Sequence, residues 1–345
     1  MPFDCDIHLH EDLEALARCC ASPWSLALEQ EGAERLFDTP GYTATAPIDP
    51  IKEVPDPPRF LSSPDTLHAW MEESATDGVL LLPDRLMTLP ATNNAEYAVA
   101  IAEAYNRDLI ERWVDPVRGR LGALLVAPQD PVAAAAEIRR AGSAPGVAAV
   151  VLSTALTSPP WGDPWYEPIY RAMAETDLPG ALHGADTYGT LFPYQTQMLA
   201  SPLARAVLTH PFAAMTALAN LIGNGVLDRY PLRLLICEAG LLVATAFLGR
   251  LSGRAALLPE AVGTPHTIVD RVRERLWWTT HPMRDVPDGA DGALASVVGH
   301  SRIVFGSNAP HLDEENRASL MRLSRGIPDL ARILDANATR LLHSS

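Results

Sequence analysis

The sequence predicts an α/β fold in which eight parallel strands alternate with helices and close into a (β/α)8 TIM barrel. Three observations predict it. Short apolar runs recur along the 345 residues, longer amphipathic stretches separate them, and most runs are bounded by Gly, Pro or charged residues. Barrels of this class often exceed the usual domain length of roughly 100–200 residues, so we expect one domain over residues 1–345.

The candidate strands are short apolar segments, and several end on a polar residue. Because a helical pattern separates each from the next, we expect them to run parallel. The strands are predicted at Phe3–His8, Gly78–Pro83, Leu121–Ala127, Val147–Leu152, Gly180–His183, Leu232–Glu238, Leu276–Thr280 and Arg302–Ser307.

The crossover helices are indicated by amphipathic spacing and by residues that begin or end helices. Asn94–Val114 places its apolar side chains on one face. Asp130 is a typical N-cap, Pro131 suits the first helical position, and Gly142 marks the end of that helix. Further helices are predicted at Tyr166–Glu175, Ala213–Leu227, Leu241–Leu251, Thr267–Arg275, Glu314–Arg325 and Asn337–Leu342.

Seven prolines lie between Pro40 and Pro64, in a stretch with little periodicity. We interpret residues of about 40–66 as an insertion that covers one rim of the barrel near the site. A plain surface excursion after the first strand is the alternative interpretation.

Composition excludes several classes of function. A net charge of −15 argues against a nucleic-acid partner, because such proteins concentrate Lys and Arg to neutralise phosphates. No apolar run reaches the roughly 18 residues of a membrane span, and the first ten residues do not resemble a signal peptide. We therefore expect a cytoplasmic protein that binds neither nucleic acid nor membrane.

The four cysteines, Cys5, Cys19, Cys20 and Cys237, show no CxxC spacing. This pattern indicates buried or free thiols rather than a disulfide framework or a zinc finger. Because a chain of this length can fold without a structural metal, any bound metal is expected to serve function.

Barrel enzymes carry their sites at the C-terminal ends of the strands, so polar residues that end apolar runs are the candidates. Asp6, His8 and His10 end the first strand at a spacing of two, which places their side chains on one side. Two histidines that converge in this way can bind one metal ion. The alternative is a structural role, in which the two histidines are buried and make their hydrogen bonds within the protein.

Candidates also follow later strands. His183 ends the fifth strand and precedes Gly184, which leaves room for a ligand, and His210 precedes a helix, where it binds metal, contacts substrate or caps. Glu238 closes a strongly apolar strand, and a carboxylate there would be costly to bury without a cation or a hydrogen-bonding partner. Asn308 follows the eighth strand and is a candidate catalytic residue, as is His210, although an amide cannot accept a proton.

Together with Asp6–His10, three other stretches resemble the amidohydrolase-2 family, which includes aminocarboxymuconate semialdehyde decarboxylase. These stretches are Tyr166–Tyr170, Gly225–Pro231 and Asn337-Ala338. The resemblance implies a divalent metal bound by the two histidines of the first strand, histidines after the fifth and sixth strands and an aspartate after the eighth. It also implies a small-molecule substrate and a homodimer.

The chain departs from that pattern at two positions, because Glu238 and Asn308 stand where the resemblance implies histidine and aspartate. Histidines combined with a carboxylate suit non-heme iron. We therefore predict iron, as two Fe ions, held by Asp6, His8, His10, His183, His210 and Glu238.

At the level of the branch only, and not ligand by ligand, the chain resembles the part of the family that contains the TIM-barrel non-heme diiron monooxygenase of platensimycin and platencin biosynthesis. The resemblance implies hydroxylation of a bulky natural-product intermediate with O2, a CoA-linked diterpenoid being one candidate. The alternative is a Zn- or Mn-dependent hydrolase or decarboxylase in which Glu238 or His210 replaces the missing base. A third hypothesis is a metal-free barrel that only binds ligands.

Overall fold

The computed structural model describes residues 2–28, 61–154, 157–184, 202–257, 265–311, 314–325, 327 and 329–342. Most of the predicted proline-rich insertion, up to residue 60, lies outside the described residues. Its last part, from Leu61, leads into a helix that begins at Pro64.

Eight parallel strands form one sheet in the order in which they occur along the chain, which confirms the predicted (β/α)8 barrel. Isolated parallel bridges from Asp4 to Phe305 and from Ile7 to Ala309 bring the last strand back to the first. The strands are β1 (Asp4–Leu9), β2 (Val79–Pro83), β3 (Arg120–Leu124), β4 (Val147–Ser153), β5 (Gly180–His183), β6 (Leu234–Ile236), β7 (Leu276–Thr279) and β8 (Ile303–Val304).

Helices follow the strands as the crossover pattern requires. They are α1 (Leu13–Cys19), α2 (Pro64–Ser74), α3 (Ala95–Asp108), α4 (Pro131–Ala141), α5 (Glu167–Thr176), α6 (Pro202–Gly223), α7 (Val226–Arg229), α8 (Gly240–Ala255), α9 (Pro265–Arg275), α10 (Asp291–Val298), α11 (Arg317–Ser324) and α12 (Leu330–Leu342). None of the described helices has both the length and the apolar character that crossing a membrane requires.

Side-chain caps explain where several helices begin. The Asn94 carboxamide accepts a hydrogen bond from the backbone N–H of Tyr97, and α3 starts one residue after Asn94. The Asp130 carboxylate accepts from Val132 and Ala133 and thereby starts α4. These contacts satisfy N–H groups that have no partner inside a helix.

The two strands that precede unusual site residues are shorter than predicted. β6 ends at Ile236 and β8 ends at Val304, whereas the apolar pattern extends to Glu238 and Ser307. Glu238 and Asn308 have φ angles of 53° and 63°, which lie in the left-handed region and cannot continue a strand. Both side chains therefore leave loops at the C-terminal end of the barrel.

The barrel core follows the period of two expected of strands. Leu235 and Trp277 belong to one cluster of buried apolar side chains, while their neighbours Ile236 and Trp278 belong to another. The two faces of the sheet are thus both covered, as in other parallel sheets. The four cysteines are free, and Cys5 and Cys237 are buried in the first of these clusters.

Candidate metal centre

Three polar side chains converge where β1 and β5 end. Nε2 of His183 lies 3.3 Å from Oδ1 of Asp6, and Nε2 of His8 lies 3.5 Å from the same oxygen. All three residues are buried, with exposures of 2% or less. Asp6, His8 and His183 were predicted as ligands, and the structure brings them together.

Backbone carbonyls fix the orientation of both imidazole rings. Nδ1 of His8 donates a hydrogen bond of 2.8 Å to the carbonyl oxygen of Pro83, at the end of β2. Nδ1 of His183 donates to the carbonyl oxygen of Gly184. Since each Nδ1 donates to a carbonyl oxygen, each Nε2 faces the space beside Asp6, as is typical of metal-binding histidines.

Glu238 and His210 form the next part of the site. Nδ1 of His210 lies 2.5 Å from Oε2 of Glu238, and Nδ1 of His183 lies 3.8 Å from the same oxygen. The backbone N–H of Glu238 donates to Oγ1 of Thr279, which holds the left-handed turn after β6. His210 approaches closely because residue 184 is glycine: a Cβ at that position would lie 2.7 Å from Nδ1 of His210.

The electrostatics of the site favour charged side chains despite their burial. Burial raises the pKa of Asp6, but contacts with His183 and His8 outweigh it and lower the pKa to about 2. Burial also raises the pKa of Glu238, and the nearby His210 and His183 bring it well below its usual value. Burial lowers the pKa of His8, yet Asp6 raises it to about 9.

These residues fit a divalent cation. Both carboxylate oxygens of Asp6, Nε2 of His8 and Nε2 of His183 are buried and make no hydrogen bond within the described part of the chain, where they only face one another at 3.3–3.5 Å. Buried polar atoms of this kind are costly unless an ion or water satisfies them. One ligand atom from each of Asp6, His8 and His183 lies within 4.8 Å of the others, and a second group of this kind comprises His8, Glu238 and His311. Mixed imidazole and carboxylate donors suit Zn²⁺, Mn²⁺ and Fe²⁺.

His10 lies outside both groups among the described residues. Its Nδ1 is 3.4 Å from Oδ2 of Asp84, which follows β2. The other oxygen of Asp84 is 3.3 Å from Nε2 of His311. Burial raises the pKa of Asp84, but the two histidines lower it below its usual range. The role of His10 as a ligand therefore stays a prediction.

The loop that carries Asp84 is held by a second carboxylate. Glu11 accepts hydrogen bonds of 2.9, 3.0 and 3.1 Å from the backbone N–H groups of Asp84, Arg85 and Leu86. These N–H groups begin a 3-10 turn over Arg85–Ala91. Burial and the charge of Asp84 raise the pKa of Glu11 to about 7.

Asn308 lies between two histidines rather than among the predicted ligands. Its Nδ2 is 3.2 Å from Nε2 of His281, and its Oδ1 accepts a 2.9 Å hydrogen bond from Nδ1 of His311. Behind His281, Oε1 of the buried Glu315 lies 3.7 Å from Nδ1. The ring of His311 stacks on that of His8 with centroids 4.5 Å apart.

Four further residues of the site were not predicted from the sequence: Asp84, His281, His311 and Glu315. A signal for two of them was present, because Asp84 directly follows the apolar strand that ends at Pro83, and His281 directly follows the predicted strand Leu276–Thr280. The same rule that selected His183 and Glu238 would have selected both. Glu315 follows no strand, and nothing in its surrounding sequence marks it.

The chain matches the Amidohydrolase family over residues 4–343. It belongs to this family. The prediction from Asp6–His10 and the other matching stretches is therefore confirmed, and the protein is a metal-dependent enzyme of the amidohydrolase barrel type. No curated protein sequence matches the chain.

Solved structures share the fold at low sequence identity. An amidohydrolase from Mycobacterium avium subsp. paratuberculosis K-10 is 22% identical with a TM-score of 0.72, and the alignment covers 99% of each chain. The 5-carboxyvanillate decarboxylase LigW from Sphingomonas paucimobilis is 17% identical with a TM-score of 0.70, covering 99% of this chain and 98% of that one.

A third structure contains a metal. The dihydroxybenzoic acid decarboxylase from Polaromonas sp. JS666, solved with manganese and the inhibitor 2-nitroresorcinol, is 16% identical with a TM-score of 0.68. The alignment covers 99% of this chain and 96% of that one. These similarities concern the fold, and none of them supports the predicted iron monooxygenase.

Proposed function

We propose that the protein is a Zn- or Mn-dependent decarboxylase that acts on a small carboxylic acid. The observation that carries the proposal is the convergence of buried Asp6, His8 and His183, whose facing atoms make no hydrogen bond within the described residues, with the buried carboxylate of Glu238 beside them. Two of the solved structures named above are decarboxylases of aromatic acids, one of them with bound manganese, which supports this reaction class. A hydrolase of the same family is the closest alternative.

The residue after β8 favours decarboxylation over hydrolysis. Hydrolysis at a metal centre requires a base that accepts a proton from the attacking water, and the resemblance implies an aspartate at this position. Asn308 stands there, and an amide has no such basicity. Decarboxylation needs a proton donor instead, because a proton must be delivered to the carbon that loses CO2.

In this proposal, Asp6, His8, His183 and Glu238 hold the cation. When bound, the cation supplies positive charge that attracts and orients an anionic carboxylate substrate. His210 is the proton donor. Its Nδ1 is paired with Glu238 at 2.5 Å, which keeps a proton on the ring, and its side chain is 20% exposed and thus accessible to a substrate.

The iron monooxygenase remains a competing proposal. A specific observation favours it: Glu238 places a carboxylate, where the resemblance implies histidine, beside the buried histidines. Under this alternative the substrate is a bulky natural-product intermediate, a CoA thioester being one candidate. The two proposals differ in metal and in oxygen use, so one experiment separates them.

The test is metal analysis of the purified protein, combined with assays of CO2 release and O2 consumption on a panel of hydroxybenzoates that includes 5-carboxyvanillate. We expect stoichiometric Zn or Mn and CO2 release without O2 uptake. Stoichiometric iron with O2 uptake in the presence of a reductant would instead establish the oxygenase. Metal-free protein that fails to bind Zn, Mn or iron would contradict both.

Variants connect the activity to the site. Glu238→Gln is expected to slow turnover at least on the order of 100-fold, because it removes a ligand charge and the partner of His210. The matched control is Glu175→Gln, which changes an exposed glutamate paired with Arg139 on the outer surface. Equal activity of the two variants would sink the assignment of Glu238.

A further inference from the structure

Five side chains form a continuous polar chain across the mouth of the barrel. Oε1 of Glu315 is 3.7 Å from Nδ1 of His281, and Nε2 of His281 is 3.2 Å from Nδ2 of Asn308. Oδ1 of Asn308 is 2.9 Å from Nδ1 of His311, whose Nε2 is 3.3 Å from Asp84. We call these five residues the Asn308 network.

The chemistry of an amide determines the direction of the two central hydrogen bonds. Nδ2 of Asn308 can only donate, so Nε2 of His281 accepts and the proton of that ring lies on Nδ1, facing Glu315. Oδ1 of Asn308 can only accept, so Nδ1 of His311 donates. One side chain thus supplies a donor to one histidine and an acceptor to the other.

We propose that Asn308 is a positioning residue which fixes the direction of the hydrogen bonds of His281 and His311. Its backbone supports this role, because Asn308 has φ of 63°, and asparagine adopts this left-handed region more readily than most residues do. Its backbone N–H donates a 3.1 Å hydrogen bond to the carbonyl oxygen of Asp6. Asn308 is therefore held on both its main chain and its side chain.

An aspartate could not fill this role. A carboxylate has two acceptors and no donor, so it would leave the lone pair of Nε2 of His281 facing a negative oxygen. His281 would then need a proton on Nε2, either in place of the proton on Nδ1 that faces Glu315 or in addition to it. The asparagine after β8 is thus more than the replacement of a catalytic base, because its amide positions two histidines.

Asn308 influences the candidate metal centre through His311. Its ring stacks on His8 with an interplanar angle of 26°, and His8 presents Nε2 toward Asp6. Asn308 and Asp84 hold His311 from its two ring nitrogens and so keep this ring against His8. The Asn308 network consequently positions one wall of the mouth, whatever reaction takes place there.

Nitrogen-15 NMR of histidine rings tests the proposal directly. Full-length protein labelled at its 10 histidines is recorded metal-free and again with Zn²⁺, and the His281 and His311 signals are assigned by their loss in His281→Gln and His311→Gln. We expect His281 protonated on Nδ1 with a bare Nε2, and His311 protonated on Nδ1. A proton on Nε2 of His281 in the wild-type protein overturns the proposal.

Asn308→Asp sharpens the test. We expect the His281 signals to change to those of a ring protonated on Nε2, and the matched control Asn94→Asp to leave them unchanged, since aspartate also caps α3. Unchanged His281 signals in Asn308→Asp would contradict the proposal. The wild-type spectrum decides the question by itself if this variant does not fold.

Discussion

The two sides of the barrel mouth differ in how their buried polar atoms are satisfied. Beside β1, β5 and β6, the facing atoms of Asp6, His8 and His183 make no hydrogen bond within the described residues, and Glu238 is paired with His210. Beside β8, Asn308 uses both ends of its amide on histidines. Since an unsatisfied buried group costs about 1–3 kcal/mol, we propose that the first side binds a cation, and we call it the cation-binding side. The amide of Asn308, in contrast, is satisfied by its two histidine neighbours.

Similar strand ends serve different purposes in this barrel. Glu238 and Asn308 both follow short strands and both adopt positive φ, which directs each side chain from a loop at the mouth. The carboxylate joins the cation-binding side, whereas the amide joins two histidines. Residue chemistry, rather than backbone position, thus separates metal binding from positioning.

The largest expected effect comes from removing a ligand on the cation-binding side. His183→Gln removes an imidazole whose Nε2 faces Asp6, so we expect metal affinity to fall on the order of 100-fold or more, beyond the 10–100-fold typical of residues that only support ligands. Competition with a chelator of known affinity measures the change.

The control for that variant is His68→Gln, which alters an exposed histidine of α2 that contacts Glu72 at 3.4 Å. It should keep wild-type affinity. If His183→Gln binds metal as tightly as His68→Gln does, the two sides of the mouth do not differ in the way described, and the ligand assignment is wrong.

The fold was more predictable than the site, for a physical reason. Strand β5 was predicted with its observed bounds, because a buried strand imposes a local pattern of apolar residues. Asp84 and His311 meet 227 positions apart in sequence, and no local pattern records such a contact. The ends of β6 and β8 were predicted too far along the chain because hydropathy does not reveal a left-handed φ at Glu238 or Asn308.

Within the site, the sequence predicted which residues lie together better than it predicted how their imidazole rings are oriented. Asp6, His8 and His183 were predicted as ligands and lie together, because their spacing places them at strand ends. His10 shares that spacing, yet its ring lies against Asp84. Ring direction depends on partners such as the Pro83 carbonyl, which the sequence alone cannot assign.

An intermediate effect is expected from Gly184→Ala, which tests the contact between the cation-binding side and His210. The added Cβ would lie 2.7 Å from Nδ1 of His210, so the ring must move away from Glu238. Because misplacing a catalytic group by about 1 Å costs up to 100-fold, we expect turnover to fall roughly 10-fold or more, with metal content retained.

Steady-state kinetics and metal analysis of the purified variant measure this effect. Gly249→Ala in α8 is the control, because a Cβ there meets nothing within 4 Å. Loss of metal in Gly184→Ala would show that this glycine supports the ligands rather than His210. Turnover equal to that of Gly249→Ala would show that the approach of His210 to Glu238 is not needed.

The smallest expected effect is a pH dependence of the stability of the metal-free protein, which arises from buried groups on the cation-binding side. Burial raises the pKa of Asp4 to about 8, and the contact with Asp6 raises that of His8 to about 9 against the effect of burial. In both cases the folded pKa exceeds the unfolded one, so the protonated forms stabilise the fold at low pH. This stability is lost as pH rises through 8 and 9.

The pKa of Asp6 is lowered to about 2, so its titration changes the stability of the fold only in acid and not between neutral and alkaline pH. We therefore expect the Tm of metal-free protein to fall by about 5 °C between about pH 6 and pH 9, on the scale of roughly 2–4 °C per kcal/mol. Asp4→Asn should flatten the curve, because its amide keeps an acceptor for the N–H groups of Asp6 and Ser307 without titrating. A Tm that stays level or rises over this range would mean that the buried charges of this side are already compensated without a cation.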